Sequence, residues 1–395
     1  MNTDSNNNIR PAHRLNTITE YYFSRKLREV AQLKDQGHTI ISLGIGGPDR
    51  PPHTSVIEEL CSEASRTDSH SYQISTGLPK LRKAFADWYL RTYNVALDPN
   101  SEILPLIGSK EGITHINLTF LNPGDGVLVP NPGYPTYTSS AKLVEAKIFP
   151  YSLTEENGWL PDFNELEKLP LENIKLMWVN YPHMPTGTPA TLRLFNQLIE
   201  FGLKHNIVIA HDNPYSLILN EGSPLSILQV PGAMKIAIEL NSLSKSHNMA
   251  GWRVAMLASN PQFVSWILKV KSNVDSGQFR PVMSAAAKAL ELGKTWYDDL
   301  NKEYAHRRNI AELIMDELGC KFNSSQTGLF LWGRIPDSET SGEAFADRLL
   351  YEAGVFVAPG FIFGTNGNRY IRLSLCATAE NLHEALVRIK KFKSQ

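Results

Sequence analysis

Two stretches, "NIVIAHDNPY" at residues 206–215 and "KIAIELNSLSKSHNMAGWR" at residues 235–253, decide how this chain folds. Each opens on a short apolar run and ends in a loop of small, charged and aromatic residues. The layout recurs at "EILPLIGSKEG" (102–112), "GVLVPNPGYP" (126–135) and "IKLMWVNYPHMPTG" (174–187). Runs of this length, bounded by turn residues and alternating with helical segments, indicate a mostly parallel sheet buried on both faces. The fold class is therefore α/β. Ligands on such sheets bind beyond the carboxyl ends of the strands, and the unusual polar residues of all five loops fall there.

Outside this region the pattern changes. "TEYYFSRKLREVAQLKDQG" (19–37) reads as a helix stopped by Gly37, and "TIISLGIGGPDRPP" (39–52) as a strand running into a Gly/Pro loop. Beyond about residue 281, "MSAAAKALEL" and "WYDDLNKEYAHRRNIAELIMDEL" read as helices, followed by "GLFLWGRI", "VFVAPG" and "RYIRLSL" as strands. The expected division is an N-terminal arm and helix over 1–45 that joins the small domain, a large domain over 46–280, and a small α+β domain over 281–395. The first dozen residues are expected to form a polar arm.

The bulk numbers exclude several classes. A chain of 395 residues with 42% hydrophobic and 20% charged content is an ordinary globular composition. A formal net charge of -1, with basic residues scattered, offers no electrostatic footing for nucleic acid or an acidic membrane. Cys61, Cys320 and Cys376 are odd in number and lack metal-ligand spacing, so free thiols and no metal are expected. "MNTDSNNNIRPAHRL" has no apolar signal-peptide core, and the expected location is the cytoplasm.

Within the loops, particular side chains ask for partners. Lys245 lies among small residues, where desolvation or the neighbouring cation Arg253 would depress its pKa and suit it to imine formation; a solvated surface lysine is the bland alternative. Ser109 and Lys110 open a helical stretch, whose first N–H groups favour a phosphate, although an ordinary Ser cap would look the same. Asp212, leaving a buried strand, is either a turn acid or the partner of a protonated heteroaromatic nitrogen, with Tyr215 three residues on. Tyr134 offers a ring face for stacking or simple packing. Arg372, inside an apolar strand, requires an anion, either a structural carboxylate or a substrate. Together, a phosphate site, a protonated ring nitrogen, a stacked ring and an imine-forming lysine describe pyridoxal 5′-phosphate, and a separate arginine describes an amino-acid substrate.

These motifs resemble the class I/II aminotransferases of the aspartate aminotransferase superfamily, whose fold is fold-type I, over nearly the whole chain. "SLSKSHNMAGWR" is similar to the family's S-x-S-K-x(7)-R, which implies a Schiff base on Lys245 and phosphate contacts from Ser242 and Arg253. "GSKEG" resembles the second phosphate loop, implying Ser109 and Lys110. "HDNPY" implies Asp212 at the ring nitrogen and Tyr215 at the ring hydroxyl, and "NPGYPTY" implies Tyr134 stacked on the ring. "YQISTGLPKLRKAF" resembles the segment whose tyrosine, here Tyr72, reaches the neighbouring subunit's phosphate, which implies a homodimer. "GIGGPD" and "RYIRLSL" imply Gly46 and Arg372 at the substrate carboxylate. The implied reaction moves an amino group between an L-amino acid and a 2-oxo acid at one site, with ping-pong kinetics. "GSKEGI" and "KSNVDSG" resemble the subgroup with alanine-type and diaminopimelate-type enzymes, without fixing the substrate.

One position departs from the family. Its N-P-T-G reads "HMPTG" here, so Met184 stands where an asparagine would donate to the ring hydroxyl oxygen, and a thioether cannot donate. Arg280 in "GQFRP" is either a distal-carboxylate contact or a surface ion pair. The same constellation would also serve a β-lyase, a decarboxylase or a non-catalytic regulator.

Overall fold

The computed structural model describes residues 9–394. The expected polar arm lies outside the described residues as far as residue 8; His13–Thr17 forms a short 3-10 helix, and the first long helix is Tyr22–Asp35.

Five of the sequence's apolar runs become strands of one seven-stranded sheet. After β1 (Ile41–Ser42), which lies outside this sheet, its strands in chain order are β2 (Ile103–Leu106), β3 (Gly126–Asn131), β4 (Lys147–Ser152), β5 (Ile174–Val179), β6 (Val208–Asp212), β7 (Ala237–Ser242) and β8 (Ala255–Ala258). The large sheet runs β2-β8-β7-β6-β5-β3-β4. Five of its strands pair in parallel, and β8 joins β7 to β2 by antiparallel ladders on both sides. The sequence runs did not include β4 and β8. Strand β4, "KIFPYS", is an edge strand with Lys147, Pro150 and Ser152 exposed, and an edge tolerates a proline. Strand β8 is only four residues, "AMLA", and too short to stand out by pattern.

Helices cover both faces of the sheet. Pro79–Tyr93 and Leu192–His205 pack on one side through Leu81, Phe85, Phe195 and Leu198, and Ser109–Phe120 and Pro261–Lys271 on the other through Ile113, Ile116, Val264 and Ile267. Leu192–His205 shows how locally this is encoded. Thr191 caps it by accepting from Leu194 N–H, and Asn206, in the left-handed region, ends it. The helix Arg280–Leu290 buries Met283, Ala286 and Leu290 in the core of Leu81 and Phe85, so it packs with the large body. The expected boundary at residue 281 therefore falls one helix early; an alanine-rich helix does not announce which core it joins.

The smaller body holds β9 (Lys321–Phe322), β10 (Phe330–Arg334), β11 (Val355–Phe356), β12 (Ala358–Pro359) and β13 (Tyr370–Ser374), with order β12-β13-β10-β9 and a separate parallel pair β1-β11. Phe23 and Val30 of the N-terminal helix and Ile40, Ile41 and Leu43 belong to this core. All three cysteines are free, and among the described residues no helix is long and apolar enough to cross a membrane.

Candidate active site

The carboxyl ends of β2, β3, β5, β6 and β7 meet at one cavity. Its walls include Ser109, Lys110, Tyr134, Asp212, Tyr215, Ser242, Lys245 and Arg253, eight of the residues singled out by sequence.

Asp212 ends β6 and is buried. Its Oδ2 accepts from the Tyr137 hydroxyl at 3.0 Å, and its backbone carbonyl accepts from Asn180 Nδ2 at 2.6 Å. Oδ1 is buried with no partner among the described residues. Burial raises this carboxyl from 3.8 to about 6, while the Tyr137 hydroxyl and the positive charges nearby pull the other way. Tyr137 stacks on Trp178 with centroids 5.0 Å apart and planes 4° apart, and Tyr134 meets its edge at 5.5 Å. Sequence reasoning passed over Tyr137; its spacing of three from Tyr134, at the start of the helix Pro135–Leu143, was the available signal.

Lys245 lies in the one-turn helix Leu243–Ser246 that follows β7. Its Nζ donates to Gly46 O at 2.5 Å. Burial lowers its pKa, and the charges of Arg372 and Arg253 push in the same direction. That is the condition an amine nucleophile needs.

The opposite end of the cavity is built to receive an anion. The helix Ser109–Phe120 begins there, presenting N–H groups with no intrahelical partner. Ser109 Oγ is buried and has no partner among the described residues. Gly108, at φ +82°, lets the Arg253 guanidinium lie over its backbone: a Cβ would come within 2.0 Å of Nη2. Arg253 itself takes φ +57° and donates from Nη1 to Ala250 O at 2.9 Å. Ser242 is less free, since its hydroxyl donates to Ser244 Oγ at 2.9 Å.

Arg372 lies outside the cavity wall but against it. It is 4% exposed, and among the described residues no carboxylate pairs with it. Nη2 donates to Gly44 O at 2.9 Å and Nη1 contacts Met184 Sδ at 3.2 Å, while Nε is unpaired. The rings of Phe330 and Phe363 lie 3.8 and 4.6 Å from the guanidinium. Burial lowers its pKa to about 10. Soft contacts leave the charge uncompensated, which favours an anionic ligand over a structural ion pair. Met184 thus replaces an expected donor and abuts the arginine as well. Asn180 is engaged elsewhere: besides Asp212, its Oδ1 accepts from Met184 N–H at 2.8 Å.

Two other candidates fall away from the cavity. Tyr72 is 93% exposed and does not line it. Arg280 pairs with Glu63 and Asp68, both at 3.2 Å, which is the ion-pair alternative.

The residues fit pyridoxal phosphate on separate grounds: an orphaned buried carboxylate oxygen for a protonated ring nitrogen, an orphaned hydroxyl with a helix start and an arginine for a phosphate, and an amine of depressed pKa for the aldehyde.

Comparison with known proteins agrees. Residues 38–389 match the family description "Aminotransferase class I and II". An LL-diaminopimelate aminotransferase of Dehalococcoides mccartyi is 40% identical over 383 residues, covering 97% of this chain and 98% of that protein. One from Aquifex aeolicus is 40% identical over 381 residues, covering 96% and 98%. The substrate-bound structure of BacF from Bacillus subtilis superposes with a TM-score of 0.91 at 35% identity, covering 97% of both chains. Aspartate aminotransferase from Thermus thermophilus, as a single mutant, shares the fold with a TM-score of 0.90 at 23% identity, covering 97% of this chain and 100% of that one. Strand order, cavity and sequence converge: the chain belongs to the class I and II aminotransferases and uses pyridoxal phosphate.

Proposed function

We propose that the amino donor is LL-diaminopimelate or a close analogue, a dicarboxylic diamino acid. The observation that carries this is the 40% identity to relatives so named over 97% of the chain. Lys110, an exposed cation on the cavity wall with its ammonium 4.9 Å over the Tyr21 ring, is compatible with a second carboxylate.

Pyridoxal phosphate, when bound, supplies an aldehyde to carry the amino group and a ring that takes up the electrons released at Cα. The amides of Ser109 and Lys110, with Ser242 and Arg253, hold the phosphate. Asp212, through Oδ1, would keep a proton on the ring nitrogen, Tyr215 would serve the ring hydroxyl oxygen, and Tyr134 would offer its ring for stacking. Lys245 would hold the aldehyde of the bound cofactor and, as a neutral amine, would take up at Nζ the proton that leaves the substrate's Cα. Arg372 holds the α-carboxylate, beside the Gly46 loop. Two half-reactions share these groups, giving ping-pong kinetics.

The same reading makes the enzyme a cytoplasmic homodimer in which the partner subunit's Tyr72 reaches the phosphate. Exposed Tyr72, Ile74, Val274 and Phe279 support it. They lie on two segments held together by the Ser75 Oγ–Asp275 O bond at 3.2 Å.

A donor panel tests the substrate. LL-diaminopimelate, L-alanine, L-aspartate and L-phenylalanine are each offered to the loaded enzyme with a series of 2-oxo acids. A kcat/KM for LL-diaminopimelate about tenfold or more above the others is expected. A higher value for a monocarboxylic donor rejects the assignment.

A further inference from the structure

The segment Leu43–Asp49 crosses between the two cores and is tied at four points. Leu43 O accepts from Ser374 N–H at 2.7 Å. Gly44 O accepts from Arg372 Nη2 at 2.9 Å and Gly46 O from Lys245 Nζ at 2.5 Å. The Asp49 carboxylate takes both prongs of Arg307, at 2.8 and 3.0 Å. Three anchors thus belong to the smaller body, and the fourth is the lysine.

Arg307 does more than close the strap. It stands on the helix Lys294–Glu317, is 3% exposed, and binds Glu303 Oε1 through Nε at 2.8 Å. Its Nη1 also donates to Leu375 O at 3.2 Å, one residue beyond β13. One guanidinium therefore holds the far end of the strap and the chain leaving the strand that carries Arg372. The strap has little room to drift elsewhere. A Cβ at Gly44 or Gly46 would lie 2.6 or 2.3 Å from ring atoms of Phe356 or Phe330. A planar two-pronged contact fixes orientation as well as distance, which a lysine's point charge does not.

We propose that Arg307 and Asp49 are a positioning pair for the substrate α-carboxylate: by locking the strap to the strand of Arg372, they set the span between Arg372, which holds the carboxylate, and Lys245, which works at Cα. Neither residue touches the substrate. The inference rests on the roles given above to Arg372 and Lys245, and not on which donor is natural.

The test uses the loaded enzyme and whichever donor of the panel performs best with wild type, so a failure of the diaminopimelate reading shows as a different best donor and leaves this comparison intact. Arg307→Lys, Asp49→Asn and the double variant are compared for KM, kcat, cofactor content and visible absorbance. Asp49 is 27% exposed, and Asp49→Asn leaves the bonds from Arg307 to Glu303 and Leu375 in place, so the fold has no reason to fail. The proposal requires KM to rise about tenfold in each single variant and no further in the double variant, with kcat and cofactor content within about twofold of wild type. An unchanged KM in Asp49→Asn, a multiplied rise in the double variant, or parallel loss of cofactor and folded protein in Asp49→Asn overturns it.

Discussion

At the residue scale, the site works by leaving chosen groups unsatisfied. Asp212 is the clearest case, with one oxygen engaged by Tyr137 and the other orphaned in a buried cavity. Its folded pKa, about 6 against an ordinary 3.8, means the folded chain holds this proton more tightly than the unfolded one. The associated stability is present below pH 3.8 and lost as pH rises through about 6. Denaturant titrations of the cofactor-free protein should show wild type losing on the order of 3 kcal/mol across that window relative to Asp212→Asn. Equal slopes for the two proteins would contradict the raised pKa. Met184 supplies a second expectation. Met184→Asn restores a donor toward the ring hydroxyl oxygen, so the pH midpoint of the loaded enzyme's visible absorbance should fall; a steady or higher midpoint argues against Tyr215 serving that oxygen alone. Met184 was legible as a departure from a motif, but its contact with Arg372 was not, because the two are 188 positions apart.

At the element scale, strand ends and helix starts carry the chemistry. The Gly108 turn into the helix Ser109–Phe120 combines a left-handed φ with the close approach of Arg253. Gly108→Ala should displace the guanidinium and weaken pyridoxal phosphate binding about tenfold or more, read by equilibrium dialysis, with the helix content unchanged. Undiminished affinity would mean that Arg253 does not hold the phosphate. Strand β7 conceals a different device. Glu239 is fully buried within it and accepts from Tyr89 Oη, Ser226 Oγ, Ile227 N–H and His211 Nδ1 at 2.8 to 3.0 Å. Glu239→Ala strands those donors and should cost about 3 kcal/mol or more in unfolding free energy. In the sequence "KIAIEL" this glutamate looks like a polar interruption of an apolar run. Its four donors come from segments spread over 138 positions, between Tyr89 and Ile227, and no local pattern announces them.

At the scale of the whole molecule, the smaller body brings Arg372 and the strap of Leu43–Asp49 against a cavity built by the sheet. The exposed surface around Tyr72 extends the argument to a second copy. If the partner subunit's Tyr72 completes each site, Tyr72→Ala and Lys245→Ala are each inactive or weakened alone. Mixing them should restore about a quarter of the wild-type activity, because random pairing makes about half the dimers hybrid and one of the two sites in each hybrid has both residues intact. No recovery on mixing would place Tyr72 outside the site. The sequence alone determined the α/β class, the cofactor and most of the cavity wall, because each of those depends on short-range facts: apolar runs, helix starts and residues a few positions apart. Only the tertiary structure decided which core the helix Arg280–Leu290 joins, that Arg280 is spent on Glu63 and Asp68, that Tyr137 grips Asp212, and that Arg307 ties Asp49 to the strand of Arg372. Those depend on which distant segments share space once the cores have packed, and a side chain's partner across such a gap leaves no mark on its own neighbourhood in the chain.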